Sequence, residues 1–170
     1  MSEEACDSSL PRVGTNIDRQ RHAVAAVTEL KKLDANLQVS TVYQCPASGF
    51  EGAEFFNFVV GLEVSLELDQ LRQHLRNLEV QYGRPLDAEK NKDRTLDIDI
   101  LLFGEEVCTD KPQLPRSDIF KFNFVLQPLK ELCPELVIPT DGRTVAQLWE
   151  QTFESIGGDA NLSPVSIYFK

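Results

Sequence analysis

Two aspartates, Asp97 and Asp99, stand one residue apart in a run of aliphatic residues. Side chains on a β-strand alternate between its faces, so both carboxylates point the same way, with Cα atoms roughly 7 Å apart. Four basic residues lie just upstream: Arg84, Lys90, Lys92 and Arg94. Hard carboxylate oxygens beside guanidinium and ammonium groups suit a magnesium-bound polyphosphate. The pattern therefore predicts a binding site for such a ligand.

The same alternation also describes the solvated face of an ordinary edge strand, which is the alternative interpretation. Like charges on one strand face repel each other and Asp is a poor strand former. Pairing Asp97 with Asp99 therefore costs stability unless a cation compensates. The upstream basic segment would supply the counter-charges that a triphosphate needs. These two features favour the ligand site.

The overall composition limits the classes of partner. A formal charge of −10 over 170 residues argues against nucleic acid or an anionic membrane surface as the ligand. No apolar run approaches the roughly 20 residues that span a bilayer, and the acidic N-terminus is unlike a signal peptide. Four scattered cysteines predict neither a zinc site nor a disulfide framework. We therefore expect one domain over residues 1–170, working as a monomer in the reducing cytoplasm.

The elements that must position the carboxylates follow from hydrophobic periodicity. Helical spacing predicts helices at 18–33, 67–82, 125–132 and 144–153, and strands are predicted at 37–43, 55–66, around Asp97 and near Val107. Residues 1–12 and 156–170 are predicted to be irregular, and 84–92 a mobile loop. Pro11 requires any strand before the first helix to be short, bulged or at an edge. This order predicts an α+β fold, a ferredoxin-like antiparallel sheet with helices packed on its faces.

A known family shares these residues. The segment from Tyr82 through Gly83 and Arg84 to the block Asp93–Gly104 resembles the signature of the 6-hydroxymethyl-7,8-dihydropterin pyrophosphokinase family. Further segments resemble other elements of that family in order and spacing: Gly14-Thr15-Asn16, Phe56-Asn57, Leu114-Pro115 and Phe124–Leu129. The similarity covers roughly residues 13–150. It implies an ATP-dependent enzyme of folate biosynthesis that transfers pyrophosphate from ATP to a reduced pterin and releases AMP.

The resemblance also implies roles for residues around the phosphates. Asp97 and Asp99 would hold two Mg²⁺ ions, and together with Arg84 and Arg94 they would form the catalytic set. Arg94 would clamp phosphate, and Arg84 would reach in from the loop. The nucleotide-binding set implied by the family is Glu79, Arg84, Arg94, Ile100 and Arg116. Glu79 could equally be a plain residue of a solvated helix face.

The pterin-binding set implied by the family is Cys45, Pro46, Phe55, Asn57 and Phe124. An asparagine can present both a donor and an acceptor to the heterocycle, which suits Asn57. The alternative for Asn57 is a side chain that satisfies strand backbone. Phe124 would stack on the pterin ring, although it could also be a core aromatic at the start of an amphipathic helix.

Several positions depart from the family pattern. Arg116 stands where the family has a phosphate-contacting histidine, and Phe122 falls where an arginine is usual. The 84–92 loop carries Leu86 in place of its second arginine and lacks the tryptophan that covers the pterin. Each lost charge-assisted contact would cost about 1.5–3 kcal/mol. The sequence thus leaves two hypotheses: a Mg-dependent pterin pyrophosphokinase, or a catalytically weak paralogue that binds nucleotide or pterin as a sensor or accessory protein.

Overall fold

The computed structural model describes residues 9–46, 52–83, 95–110, 113–154, 158 and 161–169. Its strands are β1 Ser9–Thr15, β2 Gln38–Val39, β3 Val42–Cys45, β4 Phe55–Gly61, β5 Asp97–Phe103 and β6 Ser163–Val165. Its helices are α1 Arg19–Leu30, α2 Leu68–Gln81, α3 Asp118–Lys121, α4 Asn123–Leu132 and α5 Val145–Thr152. The strands form one antiparallel sheet in the order β5-β1-β4-β3-β6, with β2 paired to β4. The chain order β1-α1-β3-β4-α2-β5 on this sheet confirms the predicted ferredoxin-like α+β fold.

Helices cover both faces of the sheet. On one face, α1 and α2 pack against Val13, Phe58 and Ile98 in the larger hydrophobic core. On the other face, α3, α4 and α5 pack against Leu10 and neighbouring residues of β4 and β5. The side chains of Asp97 and Asp99 alternate with Ile98 on β5, so they lie on the second face. None of the helices in the described segments is long and apolar enough to cross a membrane.

The first strand corrects one prediction and confirms another. Residues 9–12 are not irregular, because β1 begins at Ser9 and is buried along its whole length. A strand containing Pro11 was predicted to be short, bulged or at an edge, and β1 is seven residues long and lies between β4 and β5. Its register with β5 shifts at Pro11: Leu10 pairs with Leu102, whereas Pro11 pairs with Ile100. The predicted bulge is therefore real, and it gives a residue without a backbone N–H a place inside the sheet.

The remaining elements differ from prediction mainly at their ends. The predicted strand 37–43 is split into β2 and β3, and α2 begins after a capping box in which the Glu67 amide donates to Gln70 Oε1 at 2.9 Å. Gly83 ends this helix region with a φ of +112°, which a residue with a side chain rarely adopts. The predicted return strand near Val107 is only an isolated bridge between Cys108 and Leu114. The strand β6 lies within the tail that was predicted to be irregular.

Candidate active site

Three neighbouring strands bring the predicted polar residues onto one face. Gly14 of β1 pairs with Asn57 of β4 on one side and with Asp97 of β5 on the other. Strands lie about 4.8 Å apart, so Asn57 and Asp97 are about 10 Å apart across the sheet. Arg12 pairs in the same way with Asp99. The proposed pterin-binding asparagine and the proposed metal ligands are therefore neighbours on a single surface.

Arg12 joins these groups through its guanidinium. Its Nη2 donates to Asp97 Oδ2 at 2.9 Å and to Asp99 Oδ2 at 2.7 Å, and its Nη1 donates to Asn57 Oδ1. Only 8% of the Arg12 side chain is exposed, against 24% for Asp97 and 19% for Asp99. Although β5 ends the sheet order, its two aspartates are thus not on a solvated face. The edge-strand alternative does not describe them.

Electrostatics keeps this arginine charged. Burial disfavours the guanidinium cation, but the negative charges of Asp99 and Asp97 outweigh burial and raise the pKa of Arg12 above its usual value. Breaking such a buried pair by removing one partner is expensive, because the other charge stays buried without compensation. Arg12 is therefore a permanent cation in the site.

A second arginine approaches the same carboxylates from the segment before α3. Arg116 Nη2 lies 3.6 Å from Asp99 Oδ1, and Arg116 Nε donates to Asp118 Oδ2 at 3.2 Å. Burial opposes its charge, but Asp99 and Asp118 raise the pKa of Arg116. The resemblance implies a histidine at this position, and this chain instead has a cation beside Asp99. This position agrees with its predicted role, which stays a prediction.

The amide of Asn57 is held at both ends. Its Oδ1 accepts from Arg12, and its Nδ2 lies 2.9 Å from Cys45 Sγ on β3. The residue is 2% exposed. The alternative in which Asn57 satisfies strand backbone does not describe these contacts, since both partners are side chains. A pterin that used this amide would have to share or displace one of them.

The other predicted pterin residues surround a small apolar cluster. Cys45 and Tyr43 of β3 are buried there with Leu162, and Phe55 and Phe124 pack against them. Phe124 also stacks on Phe122, with ring centroids 4.9 Å apart. Pro46 follows β3 and is exposed. The cluster adjoins Asn57, which is where a flat heterocycle would need apolar walls.

Two of the residues predicted to bind the nucleotide lie on the α1 and α2 side of the sheet, opposite the face that carries Asp97 and Asp99. The side chain of Ile100 is buried in the core under α1 and α2, so only its backbone could contact a nucleotide. Glu79 is 4% exposed on α2, which contradicts the solvated-face alternative. Its Oε2 accepts from the Ile98 amide at 2.7 Å. Glu79 thus holds the strand that carries both aspartates.

Replacing Glu79 by alanine should lower the free energy of unfolding by about 1–3 kcal/mol, because the buried Ile98 amide loses its acceptor. Urea titration would measure this loss. Glu79→Gln keeps an acceptor oxygen at nearly the same place and is the matched control. Equal stability of the two variants would contradict the role of this hydrogen bond.

Burial raises the pKa of the Cys45 thiol to about 11, against a smaller opposing effect of Asn57. The folded protein therefore holds this proton more tightly than the unfolded chain, whose cysteines have a pKa of about 8.5. Above that pH the unfolded chain binds fewer protons, so stability should fall as the pH rises from about 8.5 to 11. Denaturant titrations across this range should show a shallower fall for Cys45→Ala. An identical slope in both proteins would refute the contribution of Cys45.

The predicted phosphate residues Arg84 and Arg94, with Lys90 and Lys92, lie outside the described residues. Their roles stay predictions. The described part of the site still contains two arginines and two aspartates on one face. Arg12 was missed by the sequence reasoning. The available signal was a charged residue within an otherwise buried strand, two positions before a glycine.

The ligand atoms that Asp97 and Asp99 offer can be compared with those that Mg²⁺ prefers. Asp97 and Asp99 present hard oxygens, and their Oδ2 atoms converge closely enough to share one nitrogen of Arg12. No cluster of three or more His, Cys, Asp or Glu side chains able to hold a metal occurs in the described segments. Mg²⁺ is commonly bound by one or two carboxylates together with substrate phosphates, so this pair suits it in the presence of a polyphosphate. Arg12, however, already engages one oxygen of each carboxylate.

Sequence comparisons show which known proteins this chain resembles. The family model described as 7,8-dihydro-6-hydroxymethylpterin-pyrophosphokinase matches residues 12–134. A 2-amino-4-hydroxy-6-hydroxymethyldihydropteridine pyrophosphokinase of Synechocystis sp. is 31% identical over 87% of this chain and 77% of that protein. Proteins of the same name are 33% identical in Aquifex aeolicus, over 75% of this chain and 81% of the relative, and 34% identical in Pseudomonas aeruginosa, over 80% and 86%.

The matched region extends from Arg12 in β1 past the end of α4. It therefore includes the residues that form the polar face of the sheet: Arg12, Asn57, Asp97, Asp99 and Arg116. The relatives are named as pyrophosphokinases, which confirms the prediction of an enzyme that transfers a pyrophosphoryl group. The chain belongs to the 7,8-dihydro-6-hydroxymethylpterin-pyrophosphokinase family.

Proposed function

We propose that this protein transfers a pyrophosphoryl group from ATP to the hydroxymethyl oxygen of 6-hydroxymethyl-7,8-dihydropterin in folate biosynthesis. The oxygen attacks the β-phosphorus and loses its proton, while the bond between that phosphorus and the α,β-bridging oxygen breaks, so AMP leaves. The observation that carries the proposal is the row Asn57, Gly14, Asp97, which sets a group able to orient a pterin about 10 Å from paired carboxylates.

The residues of the polar face would have two roles: some would bind the pterin, and others would neutralise the charge of the polyphosphate. Asn57 would orient the pterin through its amide, and Phe124 would stack on the ring. Arg12 and Arg116 lie where they would neutralise negative charge on the polyphosphate. Phosphoryl transfer depends mainly on positioning and electrostatics, so such an arrangement needs no strong general base among these side chains.

Asp97 and Asp99 would hold Mg²⁺ together with the phosphate oxygens, as the resemblance implies for two ions. When bound, Mg²⁺ neutralises charge on those oxygens and aligns the reacting groups. By the same resemblance, Arg84 and Arg94 would complete the phosphate contacts. A monomeric state and a cytoplasmic location stay predictions of the sequence.

Incubation with Mg-ATP and the hydroxymethyl dihydropterin should yield AMP and the pterin pyrophosphate in equal amounts. Chromatography of the nucleotides with time would measure this. Omission of the pterin is the control, because simple ATP hydrolysis would release product without it. Pterin-independent release of ADP would contradict pyrophosphoryl transfer.

The sensor hypothesis has one observation in its favour. Arg12 engages Asp97 and Asp99 at once, so the carboxylates that would hold the catalytic Mg²⁺ are already partnered within the chain. A protein that binds ATP and pterin tightly but forms no AMP above background would fit this second candidate. The AMP assay therefore separates the two functions.

A further inference from the structure

The guanidinium of Arg12 is a cation that Asp97 and Asp99 share. A single nitrogen, Nη2, lies 2.9 Å from Asp97 Oδ2 and 2.7 Å from Asp99 Oδ2. A divalent ion that bridged the same two oxygens would compete with this nitrogen for their lone pairs, and it would meet a fixed positive charge. The two aspartates are therefore already bridged once, by a residue of the protein.

The surrounding structure holds the guanidinium in this place. A Cβ added to Gly14 would overlap Arg12 Nη1 and lie 3.0 Å from Asn57 Oδ1, so the absence of a side chain at Gly14 makes room for the arginine. Asn57 binds the other terminal nitrogen. Arg12 also pairs in register with Asp99 within a central strand, and the residue as a whole, backbone included, is 6% exposed. Exposed arginines can swing away from a carboxylate, but this one is fixed by three partners and a buried backbone.

Among the described residues, arginine side chains already bring positive charge to both carboxylates. Asp97 and Asp99 carry two negative charges, and Arg12 and Arg116 bring two positive charges to within 4 Å of them. Asp118 pairs with Arg116 and adds a third negative charge nearby, so the two arginines offset only part of the carboxylate charge. A second Mg²⁺ beside Asp97 and Asp99 would still meet the fixed positive charge of Arg12 at close range. One ion shared with the polyphosphate would leave less repulsion, because cations a few ångströms apart repel each other strongly in a partly buried site.

We propose that Arg12 takes the place of one of the two divalent ions, so that the chain binds one ion, not two, with the nucleotide. The inference rests on the proposed function for the presence of a bound nucleotide. It assigns Arg12 as a positioning residue that sets the two carboxylates and the charge of the site. It makes Arg12→Ala a change that creates a second ion site rather than one that only removes a contact.

The test counts ions directly with Mn²⁺, whose electron paramagnetic resonance signal reports the free ion. Mn²⁺ is titrated into the full-length protein saturated with α,β-methylene-ATP, with the nucleotide alone as the baseline. The wild-type protein should bind one Mn²⁺ per chain, and Arg12→Ala should bind two. Binding of the first ion to the variant should also be at least about tenfold tighter, since a neighbouring positive charge is gone.

A matched control is Arg143→Ala, which removes an arginine from a similar pair with Asp141 at 2.8 Å, in the segment before α5. It should leave the ion number at one. The melting temperature without nucleotide gives a second readout: Mg²⁺ should raise it for Arg12→Ala, whose aspartates have lost the cation that they shared, and not for the wild type. Two ions per wild-type chain would overturn the proposal, as would an unchanged number in a folded Arg12→Ala protein.

The number of ions bound by the wild-type protein tests the proposal even if Arg12→Ala does not fold. AMP formation is measured separately, so the two proposals can fail independently. One ion with no AMP formed would keep the role of Arg12 and refute the enzyme. AMP formation with two ions bound would keep the enzyme and refute the role of Arg12.

Discussion

Replacing Asp97 by asparagine should lower the rate of AMP formation by about a thousandfold while the protein stays folded. The change removes one of the two negative charges that would hold Mg²⁺ against the polyphosphate. It also weakens the charge-assisted bond from Arg12, so the cation of the site loses its fixed position. Losses of about 10²–10³ are typical when a single group that stabilises transferring charge is removed. Single-turnover rates with saturating Mg-ATP would measure the effect.

The matched control is Asp69→Asn, which makes the same chemical change at an exposed position in the first turn of α2. Its rate of AMP formation should stay within about twofold of the wild type, because surface substitutions of this kind usually have small effects. Thermal unfolding of both variants would verify that each is folded. A folded Asp97→Asn protein with normal activity would refute the role of this carboxylate.

Replacing Asn57 by alanine should weaken binding of the hydroxymethyl dihydropterin by about 10–100-fold. The physical reason is the loss of the amide donor and acceptor, each of which contributes about 1 kcal/mol in a typical hydrogen bond. Affinity for a nucleotide analogue should change much less, because Asn57 lies on the β4 side of the face and the carboxylates lie on β5. Quenching of pterin fluorescence would give the first affinity, and calorimetry the second.

Asn77→Ala is the control for this substitution, since Asn77 lies on the exposed side of α2. The outcome also distinguishes two roles of Asn57. If the side chain serves only to hold Arg12 and Cys45, the variant will lose stability in urea but bind the pterin normally. A normal pterin affinity would therefore remove Asn57 from the binding site.

Much of the fold was accessible from local sequence. The stripe Leu71, Leu75, Leu78 has the spacing of one helix face, and all three side chains are buried in α2. Alternation around Ile98 likewise predicts a strand whose two faces differ. Such patterns depend on neighbours a few residues away, which is why they can be read directly. The two faces of the sheet and their helices follow once the order of elements is known.

Pro11 and β6 show where local reasoning fails. A proline usually excludes a strand from the interior of a sheet, yet β1 is central because its register with β5 shifts at that residue. That bulge depends on a partner strand almost 90 residues away in the chain. The strand β6 is three residues long and contains Pro164, so it has no periodicity from which it could be recognised. Pairing with β3 alone defines it.

The sequence by itself determined the chemistry that this protein offers: two carboxylates on one strand face, an asparagine in another strand, and a resemblance to a known family. These follow from residue types and from the two-residue repeat of a strand, which are local properties. Only the tertiary structure decided how those groups are connected. Arg12 contacts Asp97, Asp99 and Asn57, none of which lies within 40 residues of it in sequence, because β1 runs between β4 and β5.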